Sequence, residues 1–206
     1  MIRTFVAVEL QHDLRHAIAR RQDQLKEGIQ AELRKGGSEA RLQWVRPESI
    51  HLTLKFLGDV DERRIDPLCR ALTEAVSGLE PFSVRAQGVG VFPDLRMPRV
   101  LWVGLSDSDH QSSRQSLTHL AQEVDRAFHG LGFPSESRPF SPHLTLARIK
   151  ERPREIGRVL RESGLLLSSA PLGTIDVSAV ALMKSVLQPS GALYTPLCRA
   201  MFTAVN

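Results

Sequence analysis

The sequence of 206 residues has no long run of hydrophobic residues. No window approaches the length of about 18 apolar residues that a membrane-spanning helix needs. The N-terminal stretch MIRTFVAVELQHDL has neither the apolar segment nor the small-residue cleavage site of a signal peptide, and it alternates like a β-strand. The sequence therefore predicts a soluble, cytoplasmic protein that has no membrane partner.

Cysteine is scarce as well. The two cysteines, Cys69 and Cys198, are far apart and do not have the spacing of a metal-binding or redox motif. Cysteines in a reducing compartment usually stay unpaired. We therefore expect two buried free thiols.

Aromatic residues make up only 5% of the chain, which disfavours a broad base-stacking platform. The formal net charge of +4 agrees with a polyanionic partner such as nucleic acid, although it does not require one. The sequence contains neither a glycine-rich phosphate loop nor a G-x-S-x-G motif. These absences argue against a P-loop NTPase and against a serine hydrolase.

What the sequence does contain is a mixed series of helices and strands. Apolar periodicity and capping residues predict helices at 13–34, 62–77, 111–128 and 154–162. Alternation and turn residues predict strands at 2–10, 42–45, 50–57, 81–92, 99–105, 143–149, 174–187 and 192–202. A turn is expected at 188–191. This order, with its hairpin-like connections, predicts an α+β fold with antiparallel sheets. Since no linker divides the chain, we expect a single domain over 1–206.

The tetrapeptide HLTL occurs twice, at 51–54 within HLTLKF and at 143–146 within HLTLAR. Alternate residues of a strand share a face, so His51 lies beside Thr53, and His143 lies beside Thr145. The leucines of both copies occupy the opposite face. The two copies indicate a duplicated half-unit, with one motif strand in each of two lobes.

Strict alternation also predicts the faces of the residues next to the motifs. Lys55 falls on the face of His51, near the solvated rim. Arg148 falls on the leucine face, so it would need a twist or a bulge to reach the other face. Core packing is the first expectation for Phe5 and Phe56, and stacking on a base is the alternative.

Two histidines and two threonines that face one cleft suit a phosphodiester. Neutral histidine can accept a proton and protonated histidine can donate one, while threonine hydroxyls can donate to phosphate oxygens. Two histidines fall short of the three or four protein ligands that zinc usually has. We therefore expect chemistry without a metal or another cofactor.

The segments HLTLKFLG and PHLTLAR resemble the two signature motifs of the 2H phosphoesterase superfamily. More narrowly, the chain resembles the RNA 2′,3′-cyclic phosphodiesterases, also called 2′-5′ RNA ligases. The stretches RTFVAVEL, WVRPESIHLTLKFLGDV and RVLWVG are similar to that family too. The resemblance implies a bilobal α+β fold with two mostly antiparallel sheets, flanking helices, pseudo-twofold symmetry and an active cleft between the lobes.

The resemblance also implies metal-independent hydrolysis of RNA 2′,3′-cyclic phosphate ends to 2′-phosphate. It implies that His51 is the proton donor and His143 the proton acceptor, and that Thr53, Thr145 and Arg148 bind the substrate. We expect a monomer. Three alternatives stay open: ligation of the cyclic phosphate end to a 5′-hydroxyl, action on another small cyclic phosphate, and binding of RNA ends without turnover.

Overall fold

The computed structural model describes residues 1–107, 116–167, 170–188 and 191–203. Within these ranges the chain forms nine β-strands and four α-helices. In chain order they are β1 (Ile2–Glu9), α1 (His12–Lys35), β2 (Leu42–Trp44), β3 (His51–Val60), α2 (Ile65–Val76), β4 (Phe82–Phe92), β5 (Val100–Asp107), α3 (Leu117–His129), β6 (His143–Ile149), α4 (Pro153–Glu162), β7 (Pro171–Val177), β8 (Ala179–Gln188) and β9 (Gly191–Met201).

The strands form one antiparallel sheet in the order β7-β4-β5-β6-β3-β1-β8-β9, and β2 pairs with β6. The motif strands β3 and β6 lie at its centre and meet at one register pair, Leu52 with Leu144. We call β3, β1, β8 and β9 the first half, and β6, β5, β4, β7 and β2 the second half. The α+β fold class is confirmed, and the two expected sheets are these halves, joined at the central bridge.

The helices cover the two halves separately. Helices α2 and α3 pack on each other, α2 against β9 and α3 against β3. Helix α1 packs against β7 and α4. The four motif leucines are buried beneath these helices: Leu52, Leu54, Leu144 and Leu146. Each motif strand thus anchors its leucines in the core, which leaves its other face for the site.

A β-bulge interrupts the alternation of β3. Thr53 and Lys55 pair with two adjacent residues of β1, so that Leu54 between them has no partner. The extra residue reverses the alternation beyond it. As a result Leu54 and Lys55 are both buried, while Phe56 turns to the opposite side and is 62% exposed.

The same bulge occurs at the matching place in β6. Thr145 and Ala147 pair with adjacent residues of β5, and Leu146 is the extra residue. Leu146 and Ala147 are buried, and Arg148 turns to the face that carries the histidine. The bulge that Arg148 would need is therefore present in the second motif strand.

The predicted position of Lys55 is wrong, because strict alternation takes no account of the bulge. Lys55 is only 2% exposed and points into the core side of the sheet. Its Nζ donates to Asp125 Oδ1 at 2.5 Å and to the carbonyl of Pro134 at 2.8 Å. Lys55 thus ties β3 to α3 and to the segment after α3.

The prediction of two free thiols is also wrong. Cys69 of α2 and Cys198 of β9 form a disulfide, with their Cα atoms 6.1 Å apart. The two residues are separated by 129 positions in the sequence. Only the packing of α2 against β9 brings them together, and spacing along the chain does not reveal that packing.

Element boundaries differ from the prediction in several places. The expected strand at 174–187 is two strands, β7 and β8, separated at Ser178. Helix α3 begins at Leu117, where the Ser116 side chain accepts from the backbone N–H of His119. The expected helical residues 111–115 and the turn residues 189–190 lie outside the described part of the chain. None of the described helices has the length and apolar character to cross a membrane.

Candidate active site

Both motif histidines are fixed by the same backbone contact. The ring Nδ1 of His51 lies 2.9 Å from the carbonyl oxygen of Ser49, and that of His143 lies 2.7 Å from the carbonyl oxygen of Ser141. A carbonyl can only accept, so in both rings Nδ1 carries the proton and donates it. Each ring therefore offers its Nε2 for a ligand.

The sequence carried a signal for this contact that the prediction missed. The repeat is longer than HLTL, because RPESIHLTL at 46–54 matches RPFSPHLTL at 138–146 at all but two positions. Each copy has a serine two residues before its histidine, and that serine supplies the carbonyl. Each copy also begins with an arginine. Arg46 lines the cleft described below, whereas Arg138 is exposed outside it.

Aromatic rings hold the two imidazoles in place. His51 lies 4.7 Å from Phe5 and 4.8 Å from Tyr194, measured between ring centroids. His143 lies 5.0 Å from Phe92, which meets it edge-on. Tyr194 is a further site residue to which sequence reasoning gave no role. Phe5 is 3% exposed, so the core expectation for it is right.

The two histidines line one cleft of about 540 Å³. Thr53, Thr145 and Arg148 line the same cleft. The structure thus brings together all five residues that the sequence singled out as the site. Residues from both halves of the sheet contribute, because β3 and β6 are neighbours at its centre.

Positive charge dominates the cleft. Its lining includes Arg3, Arg46, Arg148 and Lys150, and no carboxylate is among the described residues that line it. Burial lowers the pKa of His51, and the nearby charges of Arg148 and His143 lower it further, whereas the hydrogen bond to the Ser49 carbonyl opposes the shift. The lowered pKa therefore favours the neutral form of His51 at neutral pH.

One side of the cleft is apolar. We call Phe56, Tyr194, Leu187 and Ala192 the apolar flank, since all four line the cleft, Phe56 from the middle of β3 and the other three from the β8–β9 hairpin. Phe56 is 62% exposed and Leu187 is 72% exposed. Phe56 is thus not a core residue, and its ring is open to contact with a ligand.

The side chains that converge in the cleft are imidazoles, hydroxyls and cationic groups. Over the described ranges of the chain, no group of three or more histidine, cysteine, aspartate or glutamate side chains could hold a metal ion. The donor set of the cleft therefore fits an anionic ligand.

Comparison with known proteins decides the family. The model of the family described as LigT-like phosphoesterase matches residues 14–102 and 109–194. The chain belongs to this family. The resemblance read from the two motifs is therefore confirmed, and this LigT-like phosphoesterase is an enzyme.

Several relatives resemble the chain over nearly its whole length. An RNA 2′,3′-cyclic phosphodiesterase of Methanothermobacter thermautotrophicus is 34% identical over 196 residues, which are 95% of this chain and 96% of the relative. A crystal structure from Thermus thermophilus superposes with a TM-score of 0.73 at 25% identity and covers 98% of both chains. Escherichia coli LigT in complex with 3′-AMP gives a TM-score of 0.64 at 25% identity, again over 98% of both chains.

Proposed function

We propose that this LigT-like phosphoesterase hydrolyses the 2′,3′-cyclic phosphate at the end of an RNA to a 2′-phosphate. One observation carries the proposal: two imidazoles with Nδ1 bound to a backbone carbonyl both offer Nε2 to the same cleft. Curated relatives that bear the name RNA 2′,3′-cyclic phosphodiesterase support it.

The proposed reaction needs two proton transfers and no other reagent than water. His143 Nε2 takes a proton from the water that attacks phosphorus, and the bond from phosphorus to the 3′ oxygen breaks. His51 Nε2 gives its proton to the departing 3′ oxygen, so that a 3′-hydroxyl and a 2′-phosphate result. Exchange with solvent then returns both imidazoles to their starting states.

The side chains next to the histidines would stabilise the phosphate. The hydroxyls of Thr53 and Thr145 are on the cleft face and can donate to its non-bridging oxygens, whose charge grows toward the transition state. Arg148 adds a full positive charge from the second half. The lowered pKa of His51 makes its protonated form a stronger acid, and the negative charge of a bound phosphate favours that form.

The apolar flank suits the sugar and base of the terminal nucleotide. Its exposed aromatic ring, Phe56, can stack on any base, because every base has a π-face. This arrangement would recognise the phosphate strictly and would discriminate little between the bases.

Product analysis tests the proposed function. The protein is incubated with an oligonucleotide that ends in a 2′,3′-cyclic phosphate, with and without a second oligonucleotide that carries a 5′-hydroxyl. We expect a 2′-phosphate end in both cases. A 3′-phosphate product, or a ligated product in preference to hydrolysis, would contradict the proposal. Activity should also persist in EDTA, and a loss restored only by a divalent metal would contradict the two-histidine mechanism.

The division of roles between the histidines has its own test. Bis(p-nitrophenyl) phosphate has a leaving group that departs without a proton, so a missing proton donor matters less. We expect His51→Ala to lose much less activity on this substrate than on the RNA end, and His143→Ala to lose as much on both. The reverse pattern of losses would make His143 the proton donor and His51 the proton acceptor.

We further propose that the enzyme acts in the cytoplasm as a monomer. Disulfides are rare in that compartment, so the Cys69–Cys198 pair makes the location testable. Thiols trapped by alkylation during rapid lysis should show this pair reduced in at least part of the protein, and complete oxidation would contradict the cytoplasmic location. Equilibrium sedimentation tests the monomer, and a mass of twice 22.9 kDa would contradict it.

A further inference from the structure

Two histidines outside the cleft lie next to each other at the start of α1, and we call them the α1 pair. His12 is the first residue of the helix, and His16 follows four residues later. Side chains four residues apart on a helix share a face. The Nε2 atoms of the two rings are 2.9 Å apart, and the ring centroids are 4.2 Å apart. Neither residue lines the cleft, so the proposed function makes no use of this pair.

The backbone that carries the α1 pair is held in place. Leu14 and Ile18, on the inner side of the same turns, are buried in the core. Just before the helix, the side-chain amide of Gln11 donates to the carbonyl of Asp176 in β7 at 2.8 Å. The first turns of α1 cannot unwind without breaking these contacts. The two imidazoles therefore project from a rigid element, which keeps their spacing.

The distance between the two nitrogens fits two neighbouring ligands of one metal ion. Imidazole nitrogens bind divalent transition metals at about 2.0–2.1 Å. Two such nitrogens at a right angle about the metal are about 2.9 Å apart, whereas two at a tetrahedral angle are about 3.3 Å apart. The distance of 2.9 Å in the α1 pair agrees with the right angle. Tetragonal ions such as Cu²⁺ and Ni²⁺ have this angle between neighbouring ligands.

Both nitrogens can offer a lone pair to such an ion. In the protein alone, one Nε2–H donates to the other Nε2. Asp13 Oδ1 lies 3.6 Å from Nδ1 of His12, and a carboxylate there favours the tautomer in which Nδ1 carries the proton. His16 is then the donor. When a metal binds, the Nε2 proton of His16 moves through solvent to Nδ1 of the same ring, and both Nε2 lone pairs face the ion.

Other described histidines are less suited to a metal ion. His51 and His143 lie in a cleft whose cationic side chains repel a metal cation. His119 lies 3.7 Å from Glu123 on the next turn of α3, but this carboxylate already pairs with Arg126 at 2.6 Å. The α1 pair, in contrast, has a carboxylate beside it that adds negative charge. Geometry and charge therefore both favour the α1 pair.

We propose that the α1 pair binds one divalent transition-metal ion, Cu²⁺ or Ni²⁺, through its two Nε2 atoms. Water completes the coordination, because both rings are exposed and, over the described ranges, no third histidine, cysteine or carboxylate forms a metal-binding group with them. The ion would link the first two turns of α1 on their outer face. This site is separate from the reaction in the cleft, which uses no metal under the proposed function.

Calorimetric titration of the untagged protein with CuCl₂ and with NiCl₂ tests the site. The variants are His12→Gln and His16→Gln, and the matched control is His129→Gln, whose histidine is exposed at the end of α3. The wild type and the control should each bind one equivalent with the same Kd. Either α1 variant should bind about 10²-fold more weakly, because a single imidazole loses the chelate. Both cysteines are in the disulfide, so no thiol competes for the metal.

Two further measurements distinguish this chelate from binding elsewhere. The electron paramagnetic resonance spectrum of the Cu²⁺ complex should show two coordinating imidazole nitrogens in the wild type and at most one in either α1 variant. The urea midpoint should rise with Ni²⁺ in the wild type and in His129→Gln, but not in the α1 variants, because the chelate exists only in the folded helix. Equal Kd values in the wild type and both α1 variants, or a copper spectrum that the substitutions leave unchanged, would overturn the proposal.

Discussion

The two copies of the HLTL motif use the same backbone device in different surroundings. Each has a serine carbonyl that fixes the histidine and a bulge that turns the residue five positions on into the cleft. His51 is enclosed by Phe5 and Tyr194, and burial lowers its pKa, whereas His143 meets Phe92. The repeated part thus places the reactive groups, and the unrepeated neighbours make the two copies differ.

Removing either imidazole should have the largest effect and would show whether the copies are equally needed. His51→Ala and His143→Ala should each lower kcat on an RNA 2′,3′-cyclic phosphate end by about 10²–10⁴-fold, because each removes one proton transfer. His129→Ala, at an exposed position on α3, is the control. Circular dichroism should show that all three variants keep the fold. Full activity in either His51→Ala or His143→Ala would contradict the two-histidine mechanism.

The disulfide distinguishes the halves, since it ties α2 to β9 within the first half. Reduction should lower the free energy of unfolding by about 2–5 kcal/mol, because the bond closes a long loop in the unfolded chain. Urea unfolding with and without dithiothreitol measures this difference. The double variant Cys69→Ser/Cys198→Ser should behave like the reduced protein and should not respond to the reductant. A wild-type protein that is equally stable in both conditions would contradict the prediction.

The two motif threonines allow the contributions of the two copies to phosphate binding to be compared. Thr53→Val and Thr145→Val keep the shape of the side chain and remove its hydroxyl, so each should lower kcat by on the order of 10²-fold. A larger loss for one of them would show on which side the transition-state charge is better bound. Thr118→Val, on the exposed side of α3, is the matched control and should leave kcat unchanged.

The smallest expected effect concerns pH and the burial of His51. Its pKa in the folded protein lies below the usual value of 6.5, so the unfolded chain binds more protons as the pH falls through that value. The free energy of unfolding should therefore decrease as the pH falls from 6.5 to the lower pKa that His51 has in the folded protein. In His51→Gln this decrease should be shallower. Urea midpoints measured between neutral pH and about pH 5 for both proteins provide the check, and parallel curves would speak against the shift.

The sequence was sufficient to predict the parts of the site that depend on local period. His51 and Thr53 share a face because side chains alternate along a strand, and the second copy follows the same rule. It was not sufficient for Lys55, since the single extra residue of a β-bulge reverses the alternation, and no sequence pattern reveals that bulge. The disulfide could not be predicted either, because it depends on packing between elements that are far apart in the chain.

Other parts of the site could have been predicted from the sequence. The repeat extends upstream to the serines whose carbonyls hold the histidines, and to Arg46. Tyr194, in contrast, reaches His51 only through the pairing of β8 with β9 and of β8 with β1. Local patterns thus reveal what each strand presents, and the order of strands in the sheet decides what lies next to it.

The disulfide also has a topological consequence. The covalent loop from Cys69 to Cys198 encloses β4 to β8, and with them the whole second motif, while His51 lies outside it. A protease that cuts once inside this loop leaves two fragments that stay linked and migrate together until a reductant separates them. A cut before Cys69, in contrast, releases a fragment at once. The protein therefore keeps its two histidines in one covalent molecule after a nick between residues 69 and 198, which a comparison of reducing and non-reducing gels would reveal.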